Sequence, residues 1–317
     1  MTDEIQTEDS TEPVGADDEH PDLFGVVVEG ALDDIESAGQ AQGAEEALWP
    51  PMDDAQLPGL PTGFTDLDSL TGGLCRGSLT VIASRPSMGR TTLLTDVCRH
   101  VSVKLNVPVG VFTLEETRHQ FVHRVLTAES RVVGYHMRTG KMIQEDWTRL
   151  ARRMPELAAT PMYLKAPGRI TMAELAEQAE ELVREQGVRL IAVDGIQDIR
   201  PEKRSDLRER EVGDVVRDLK TMARELDVAV LATSHLNRGP ENRIDKKPRL
   251  DDLRESGAIT FAADTVILLH REDYYLKESP RAGEADLIVA KHRHGPTAYI
   301  TVAFQAHYGR FVDLPRT

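Results

Sequence analysis

Apolar residues from position 57 onward occur in two alternating patterns. Short continuous runs rich in Val, Ile and Leu alternate with longer stretches in which apolar residues recur every three or four positions. The short runs predict buried parallel strands, and the longer stretches predict helices that pack against them. The first four predicted strands span 79–83, 109–114, 190–193 and 228–233.

The clearest predicted helix spans 171–187. Thr171 and Glu174 form the pattern of a capping box at its start, and Gly187 ends it. A second helix is predicted over 206–226. Strand–helix alternation of this kind predicts an α/β fold with a mainly parallel sheet that is covered by helices on both faces. Three later apolar runs, at 265–269, 285–291 and 298–304, extend that sheet.

The first 56 residues differ sharply in charge from the rest of the chain. They contain 17 Asp and Glu residues and no Lys or Arg, whereas the remainder has 36 acidic and 38 basic residues. The formal net charge of −15 therefore arises from this segment. Its composition predicts a disordered acidic tail and linker over 1–56, followed by one domain over 57–317. The apolar patch at 23–28 fits either a partner-binding element or part of a solubilising tail.

The remaining composition excludes several classes of protein. Hydrophobic residues make up 40% of the chain, enough for a buried core, but no apolar run approaches the ~18 residues of a membrane span. The acidic N-terminus does not have the order of a signal peptide. Cys75 and Cys98 are far apart and have no metal-site spacing. We therefore expect a cytoplasmic protein with no membrane partner, no disulfide framework and no zinc framework.

The first predicted strand runs into a loop that opens a helical stretch. This order is that of a P-loop, in which backbone N–H groups and the helix N-terminus bind phosphate. The candidate phosphate-binding residues are Ser84, Arg85, Pro86, Ser87, Met88, Gly89, Arg90, Thr91 and Thr92. Ser84 replaces the first Gly of the usual G-x-x-x-x-G-K-[ST] pattern, and Arg90 replaces its Lys. Taken alone, the segment also fits a structural turn.

The wider run GLPTGFTDLDSLTGGLCRGSLTVIASRPSMGRTT, at 59–92, closely resembles the entry to the motor domain of DnaB-type replicative DNA helicases. The resemblance continues in the family's motif order to the C-terminus. It implies a RecA-like P-loop NTPase fold, ATP and Mg²⁺ as cofactors, and Thr91 as a Mg²⁺ ligand. Arg90 departs from the family, because a planar guanidinium is not equivalent to the compact charge of a lysine.

The resemblance also assigns roles to residues at three later strand ends. It implies that Glu115, in VFTLEE, polarises the attacking water and that Asp194, in LIAVDGIQDIR, holds Mg²⁺. In LATSHLNR, His235 stands at the nucleotide-sensing position, where the family usually has Gln. Glu116 and Gly195 depart from the family's pattern as well.

The C-terminal motifs of the family bind DNA and reach a neighbouring subunit. In DDLRESGAI the residues that match the single-stranded-DNA contacts are Arg254, Glu255 and Gly257. Two groups of basic residues near these strand ends favour contacts with phosphate: Arg200, Lys203, Arg204, Arg208 and Arg210, and Arg238, Arg243, Lys246, Lys247, Arg249 and Arg254. In AKHRHGP, Lys291 and Arg293 match the residues that contact the nucleotide of the next subunit, so a homo-hexameric ring is implied.

We therefore expect an ATP-dependent DNA helicase or translocase domain that binds single-stranded DNA. One alternative is a catalytically weakened nucleotide- and DNA-binding paralogue that acts as a regulator or mixes with another helicase subunit. Arg90, Glu116, Gly195 and His235 favour that alternative. A second alternative is a RecA- or KaiC-like ATPase. Because no counterpart of the family's helical N-terminal domain is found, we expect a weak ring. His119 and His123 are interpreted as a helix surface pair rather than metal ligands.

Overall fold

The computed structural model describes residues 58–202, 205, 208–253 and 256–315. The predicted acidic tail lies outside these residues, as do Lys203, Arg204, Arg254 and Glu255. Within the described residues, nine strands form one sheet in the order β3-β2-β4-β5-β1-β6-β7-β8-β9. The strands are β1 Leu79–Ser84, β2 Val109–Thr113, β3 Met162–Lys165, β4 Leu190–Asp194, β5 Ala229–His235, β6 Thr265–His270, β7 Glu284–His292, β8 Ala298–Gln305 and β9 Arg310–Asp313.

The sheet is parallel from β3 to β6 and antiparallel from β6 to β9. Helices provide the crossovers that parallel neighbours require. They are α1 Thr65–Thr71, α2 Arg90–Arg99, α3 Arg118–Ser130, α4 Gly134–Thr139, α5 Gln144–Ala158, α6 Met172–Gln186, α7 Arg208–Glu225, α8 Ser256–Ala262 and α9 Glu272–Tyr275. None of the described helices is long and apolar enough to cross a membrane.

Successive residues of each parallel strand pack against opposite layers of helices. In β4, Leu190 and Ala192 belong to the core that contains residues of α2, α3 and α5. Ile191 and Val193 belong to the core on the other face, with residues of α6, α7 and α8. Because both faces of the strand are buried, its sequence is continuously apolar rather than alternating. The mainly parallel sheet with helices on both faces is therefore confirmed.

The predicted helix over 171–187 is found as α6, with both halves of its capping box. The Thr171 N–H donates to Glu174 Oε2 at 2.7 Å, and the Glu174 N–H donates to Thr171 Oγ1 at 3.3 Å. Gly187 ends the helix in the left-handed conformation, with φ of 63°. On either side of residues 254 and 255, the chain forms a 3-10 turn over Leu250–Asp252 and the helix α8, which begins at Ser256.

Candidate functional site

The loop between β1 and α2 surrounds an open cavity of about 360 Å³ at the carboxyl edge of the sheet. Gly89, with φ of 104°, turns the chain into α2, so the first N–H groups of that ten-residue helix point toward the cavity. Of the predicted phosphate-binding residues, those that line the cavity are Ser84, Arg85, Pro86, Ser87, Gly89, Arg90, Thr91 and Thr92. The Met88 side chain is instead 1% exposed and packs in the core.

Asp194 ends β4 beside the first turn of α2. Its Oδ1 accepts hydrogen bonds from Thr233 Oγ1 at 2.8 Å and Thr91 Oγ1 at 3.3 Å. Its Oδ2 is buried and has no hydrogen-bond partner among the described residues. Burial raises the pKa of Asp194, and the nearby Glu115 carboxylate raises it further. A buried carboxylate oxygen without a partner, next to a threonine hydroxyl, fits a hard divalent cation such as Mg²⁺.

Arg90 lies within a tight group of polar residues beside the cavity. Its guanidinium forms an ion pair with Glu115 and contacts His235 Nδ1 at 2.9 Å. It also donates to the Ser234 carbonyl at 3.3 Å. The Arg90 side chain is 6% exposed, and that of Glu115 is 26% exposed. Arg90, which replaces the P-loop lysine, thus balances the negative charge of Glu115. Glu115 is the residue to which the resemblance assigns the activation of water.

The surroundings of Glu115 keep it ionised. Burial raises the pKa of Glu115, but the hydrogen bond with His235 and the charge of Arg90 outweigh burial, so the pKa lies below its usual value. The side chains of Glu115, Asp198 and His235 bring ligand atoms within 4.8 Å of one another. The Arg90 guanidinium already contacts two of these three residues, so a positive charge is present in this cluster without a metal ion.

Gly195 permits the close approach of Asp198 to Glu115. Its φ of 109° is a conformation that other residues rarely adopt. A Cβ atom at this position would lie 2.4 Å from Asp198 Oδ2 and 3.2 Å from Glu115 Cγ. The absence of a side chain at position 195 is therefore required by this arrangement of carboxylates.

Glu116 pairs with a different arginine from Glu115. The Arg124 guanidinium forms an ion pair with Glu116 and donates to Thr92 Oγ1 at 3.1 Å. Glu116 and Arg124 also line a second, adjoining cavity of about 670 Å³. Its other polar residues include His119, His123 and His307. The two histidines of α3 thus face an open cavity beside the P-loop.

Lys291 and Arg293 lie near the amino ends of the parallel strands, whereas the P-loop lies at the carboxyl end of β1. Arg293 Nε is 2.9 Å from Asp264 Oδ1, and Asp264 Oδ2 accepts from the N–H of Leu79, the first residue of β1. Lys291 Nζ donates to the carbonyls of Thr260 and Ala263 at 2.5 Å each, at the end of α8. Because β1 has six residues, its two ends are about 20 Å apart. Arg293 therefore lies far from the P-loop of its own chain.

The predicted DNA-binding residues are described only in part. Gly257 lies in the first turn of α8, while Arg254 and Glu255 fall outside the described residues. Of the basic residues near the strand ends, the exposed ones are Arg200, Arg208, Arg210, Arg238 and Arg249. Arg243 is instead bound to both carboxylate oxygens of Asp252, at 2.5 and 2.7 Å.

The sequence did not single out Thr233, Asp198 or Arg124, although each contacts or adjoins the site. Thr233 lies inside the apolar strand β5, and its Oγ1 accepts from the Gly195 N–H at 2.8 Å while donating to Asp194. A hydroxyl inside an apolar strand is a signal that could have been used. Asp198 and Arg124 give no comparable signal, because isolated charged residues are common in turns and on helices.

Comparison with known proteins agrees with this arrangement. The family model of the DnaB-like helicase C-terminal domain matches residues 59–313. The chain belongs to this family. The replicative DNA helicase DnaB of Leifsonia xyli subsp. xyli is 45% identical over 261 residues, which are 82% of this chain and 57% of that protein. The replicative DNA helicase DnaC of Bacillus subtilis is 40% identical, over 82% of this chain and 58% of that protein.

Two solved structures share the fold. One is described as a DnaB-like replicative helicase and its interactions with primase; it is 32% identical, with a TM-score of 0.79 over 91% of this chain and 68% of that one. The other is described as an ATPase domain and is also 32% identical, with a TM-score of 0.79 over 94% of this chain and all of that one. The RecA-like motor fold is therefore confirmed. The chain spans less than three fifths of the length of the curated relatives named above.

Proposed function

We propose that the chain is an ATP-driven motor that moves along single-stranded DNA in the cytoplasm during DNA replication. The observation that carries this proposal is that the P-loop and Glu115 line one cavity at the carboxyl ends of the parallel strands, where Asp194 accepts from Thr91. Family membership supports the same activity and favours it over a RecA- or KaiC-like role.

The geometry of the nucleotide site supports the following proposed roles. The N–H groups at the start of α2 bind the phosphates of ATP, and Thr91 and Asp194 hold Mg²⁺. The ion, when bound, neutralises charge on the phosphates. Glu115 is ionised at neutral pH and accepts a proton from the attacking water. His235 keeps Glu115 oriented through a contact of 3.2 Å.

The assembly that we propose is a homo-hexameric ring. Arg293 and Lys291 lie near the amino ends of the parallel strands, and their own P-loop lies at the carboxyl end of β1. They can therefore stabilise charge on a phosphate only at the site of a neighbouring subunit. The segment that contacts DNA would be the one with Arg254, Glu255 and Gly257, and the phosphate contacts would come from Arg254 and from the basic residues near the strand ends.

A second candidate function rests on one specific contact. The ion pair between Arg90 and Glu115 occupies both the phosphate-binding cation and the water-activating carboxylate. If Arg90 does not move to the phosphates when nucleotide binds, Glu115 stays neutralised. The chain would then bind nucleotide and DNA with little turnover and act as a regulator or as a subunit of a mixed helicase.

The test is ATP hydrolysis by the full chain with and without single-stranded DNA. We expect hydrolysis that DNA stimulates and that Glu115→Gln abolishes, with Glu145→Gln on the exposed surface of α5 as the matched control. Nucleotide and DNA binding without hydrolysis would favour the regulatory alternative. A chain that binds neither would contradict both functions.

A further inference from the structure

The side chain of Arg85 connects the P-loop to the segment that follows β5. Arg85 lines the phosphate cavity, but its guanidinium is directed toward this segment. Its Nη1 donates to the Leu236 carbonyl at 2.8 Å, and its Nε donates to Glu241 Oε1 at 2.8 Å. Its Nη2 is 2.6 Å from the same carboxylate oxygen. The Arg85 side chain is only 16% exposed, so solvent screens the pair weakly on that side.

Glu241 belongs to a basic loop that is closed on itself. We call residues 236–253 the β5 loop. A backbone bridge joins Leu236 to Leu253, and the Asn237 N–H donates to the Asp252 carbonyl at 2.7 Å. Within it, Lys246 Nζ donates to the Glu241 carbonyl at 2.7 Å. The basic residues of the β5 loop are Arg238, Arg243, Lys246, Lys247 and Arg249.

The β5 loop is tied to the P-loop mainly at one end. Arg85 contacts both Leu236 and Glu241. From Arg243 to Lys247, the described side-chain hydrogen bonds stay within the loop, and Lys247 Nζ lies 5.3 Å over the ring of Tyr299. Leu250 and Leu253, near the end of the loop, pack against the core. Ile244, at the tip, is fully exposed. Leu236 and Leu253 anchor the two ends of the loop in the core, and the Arg85–Glu241 ion pair joins its exposed part to the P-loop.

We propose that the Arg85–Glu241 ion pair couples occupancy of the phosphate cavity to the position of the β5 loop. A phosphate in the cavity competes with the Glu241 carboxylate for the donors of Arg85, because both ligands are anions that bind a guanidinium in the same way. When Arg85 turns to the phosphate, the loop loses this anchor and its basic residues change position. Glu241 is thus a positioning residue that acts through Arg85.

This inference depends on the proposed function only in taking ATP and single-stranded DNA as the two ligands. Coupling between two sites is reciprocal and is measured as the ratio of dissociation constants for DNA with and without nucleotide. The probes are a fluorescent oligothymidylate and a non-hydrolysable ATP analogue, with the full chain. For the unsubstituted chain we expect a ratio that differs from one by about 5–150-fold.

Removing Glu241 should abolish this coupling without unfolding the chain. In Glu241→Gln and Glu241→Ala we expect the ratio to fall to within about twofold of one, and nucleotide binding without DNA to tighten, since a competing anion is gone. The matched control is Asp245→Asn, which removes the same charge from the same loop and whose described hydrogen bond is to the Lys247 N–H rather than to Arg85. It should retain the ratio of the unsubstituted chain.

Three results would overturn the inference. One is a Glu241→Ala chain with unchanged coupling and unchanged nucleotide affinity. Another is an equal loss of coupling in Asp245→Asn, which would indicate a general charge effect of the loop. The third is an unsubstituted chain that binds both ligands with a ratio of one, which leaves the proposed function intact. A chain that binds no nucleotide would contradict the inference and the proposed function together.

Discussion

Arg90 lies among the polar residues beside the phosphate cavity. Its guanidinium pairs with Glu115 and contacts His235, at the position where a P-loop has its lysine. The sequence identified the departure from the pattern, but it could not indicate the partner. The pairing depends on where β2 and β5 end relative to α2, which is a property of the folded sheet.

We expect Arg90→Lys to raise the turnover of ATP. A lysine would balance less of the negative charge of Glu115, and its compact positive charge would reach the phosphates. One well-placed group that stabilises transition-state charge is commonly worth ~10²–10³ in rate, which sets the upper range of the gain. The measurement is kcat for ATP, and Arg76→Lys on the exposed surface is the matched control. Brisk hydrolysis by the unsubstituted chain that Arg90→Lys slows would contradict this account.

Asp96, on α2, makes the stability of the P-loop helix depend on pH. It accepts from the Phe311 N–H at 2.6 Å and from Arg99 Nη1 at 3.0 Å. Burial raises the pKa of Asp96 from 3.8 to about 7. Between these values the folded chain holds a proton that the unfolded chain has released. The contribution of Asp96 to the free energy of unfolding therefore falls as the pH rises from about 4 to about 7, and it is constant above that range.

Substitution of Asp96 by Asn should remove this component. The difference in free energy of unfolding between the unsubstituted chain and Asp96→Asn should decrease between about pH 4 and about pH 7, by at most a few kcal/mol. Urea unfolding at a series of pH values measures it, with Glu145→Gln as an exposed control. Parallel pH profiles for the unsubstituted chain and Asp96→Asn would show that Asp96 does not titrate in this range.

At the level of strands and helices, the buried elements were the predictable ones. The apolar runs of β1, β2, β4 and β5 are long and continuous, because helices cover both faces of these strands. Two strands, β3 and β9, were missed. Each has four residues and pairs along a single edge, so neither has room for a clear apolar pattern.

The candidate site was predictable only as far as its sequence motifs reach. The resemblance brought Thr91, Asp194 and Glu115 to one edge of the sheet, and the structure places them there. Contacts between separate loops, such as Arg85 with Glu241, carry no local pattern. They arise because β1 and β5 are neighbours whose carboxyl ends meet, which follows from the strand order alone.

The segments after β4 and β5 should bind the phosphates of single-stranded DNA. The logarithm of affinity should then fall linearly with the logarithm of salt concentration, by about 0.7 for each phosphate neutralised. Arg254→Ala should weaken binding and reduce this slope, while Arg184→Ala, on the exposed surface of α6, should not. Deletion of residues 1–56 should tighten binding, because it removes 17 acidic residues. Binding that is independent of salt would contradict phosphate contact.

In the whole molecule, the P-loop and Arg293 lie at opposite ends of β1, although both are proposed to act in one kind of reaction centre. The P-loop lies at the carboxyl end, and Asp264 holds Arg293 at the amino end. The helix α8 begins next to the segment that matches the DNA contacts, and its last carbonyls accept from Lys291. In the proposed ring, a neighbouring subunit supplies the end of the sheet that carries Arg293, so the proposed contacts with DNA and with the neighbour share one helix.

Mixing two inactive variants tests this arrangement most directly. Glu115→Gln removes the carboxylate proposed to activate water, and Arg293→Ala removes the group that a neighbour is proposed to supply. Neither variant alone should hydrolyse ATP. In an equal random mixture within rings, about one quarter of the junctions join an intact Glu115 to an intact Arg293, so activity should partly return. A mixture that stays inactive while the unsubstituted chain is active, or hydrolysis by a strict monomer, would contradict the account.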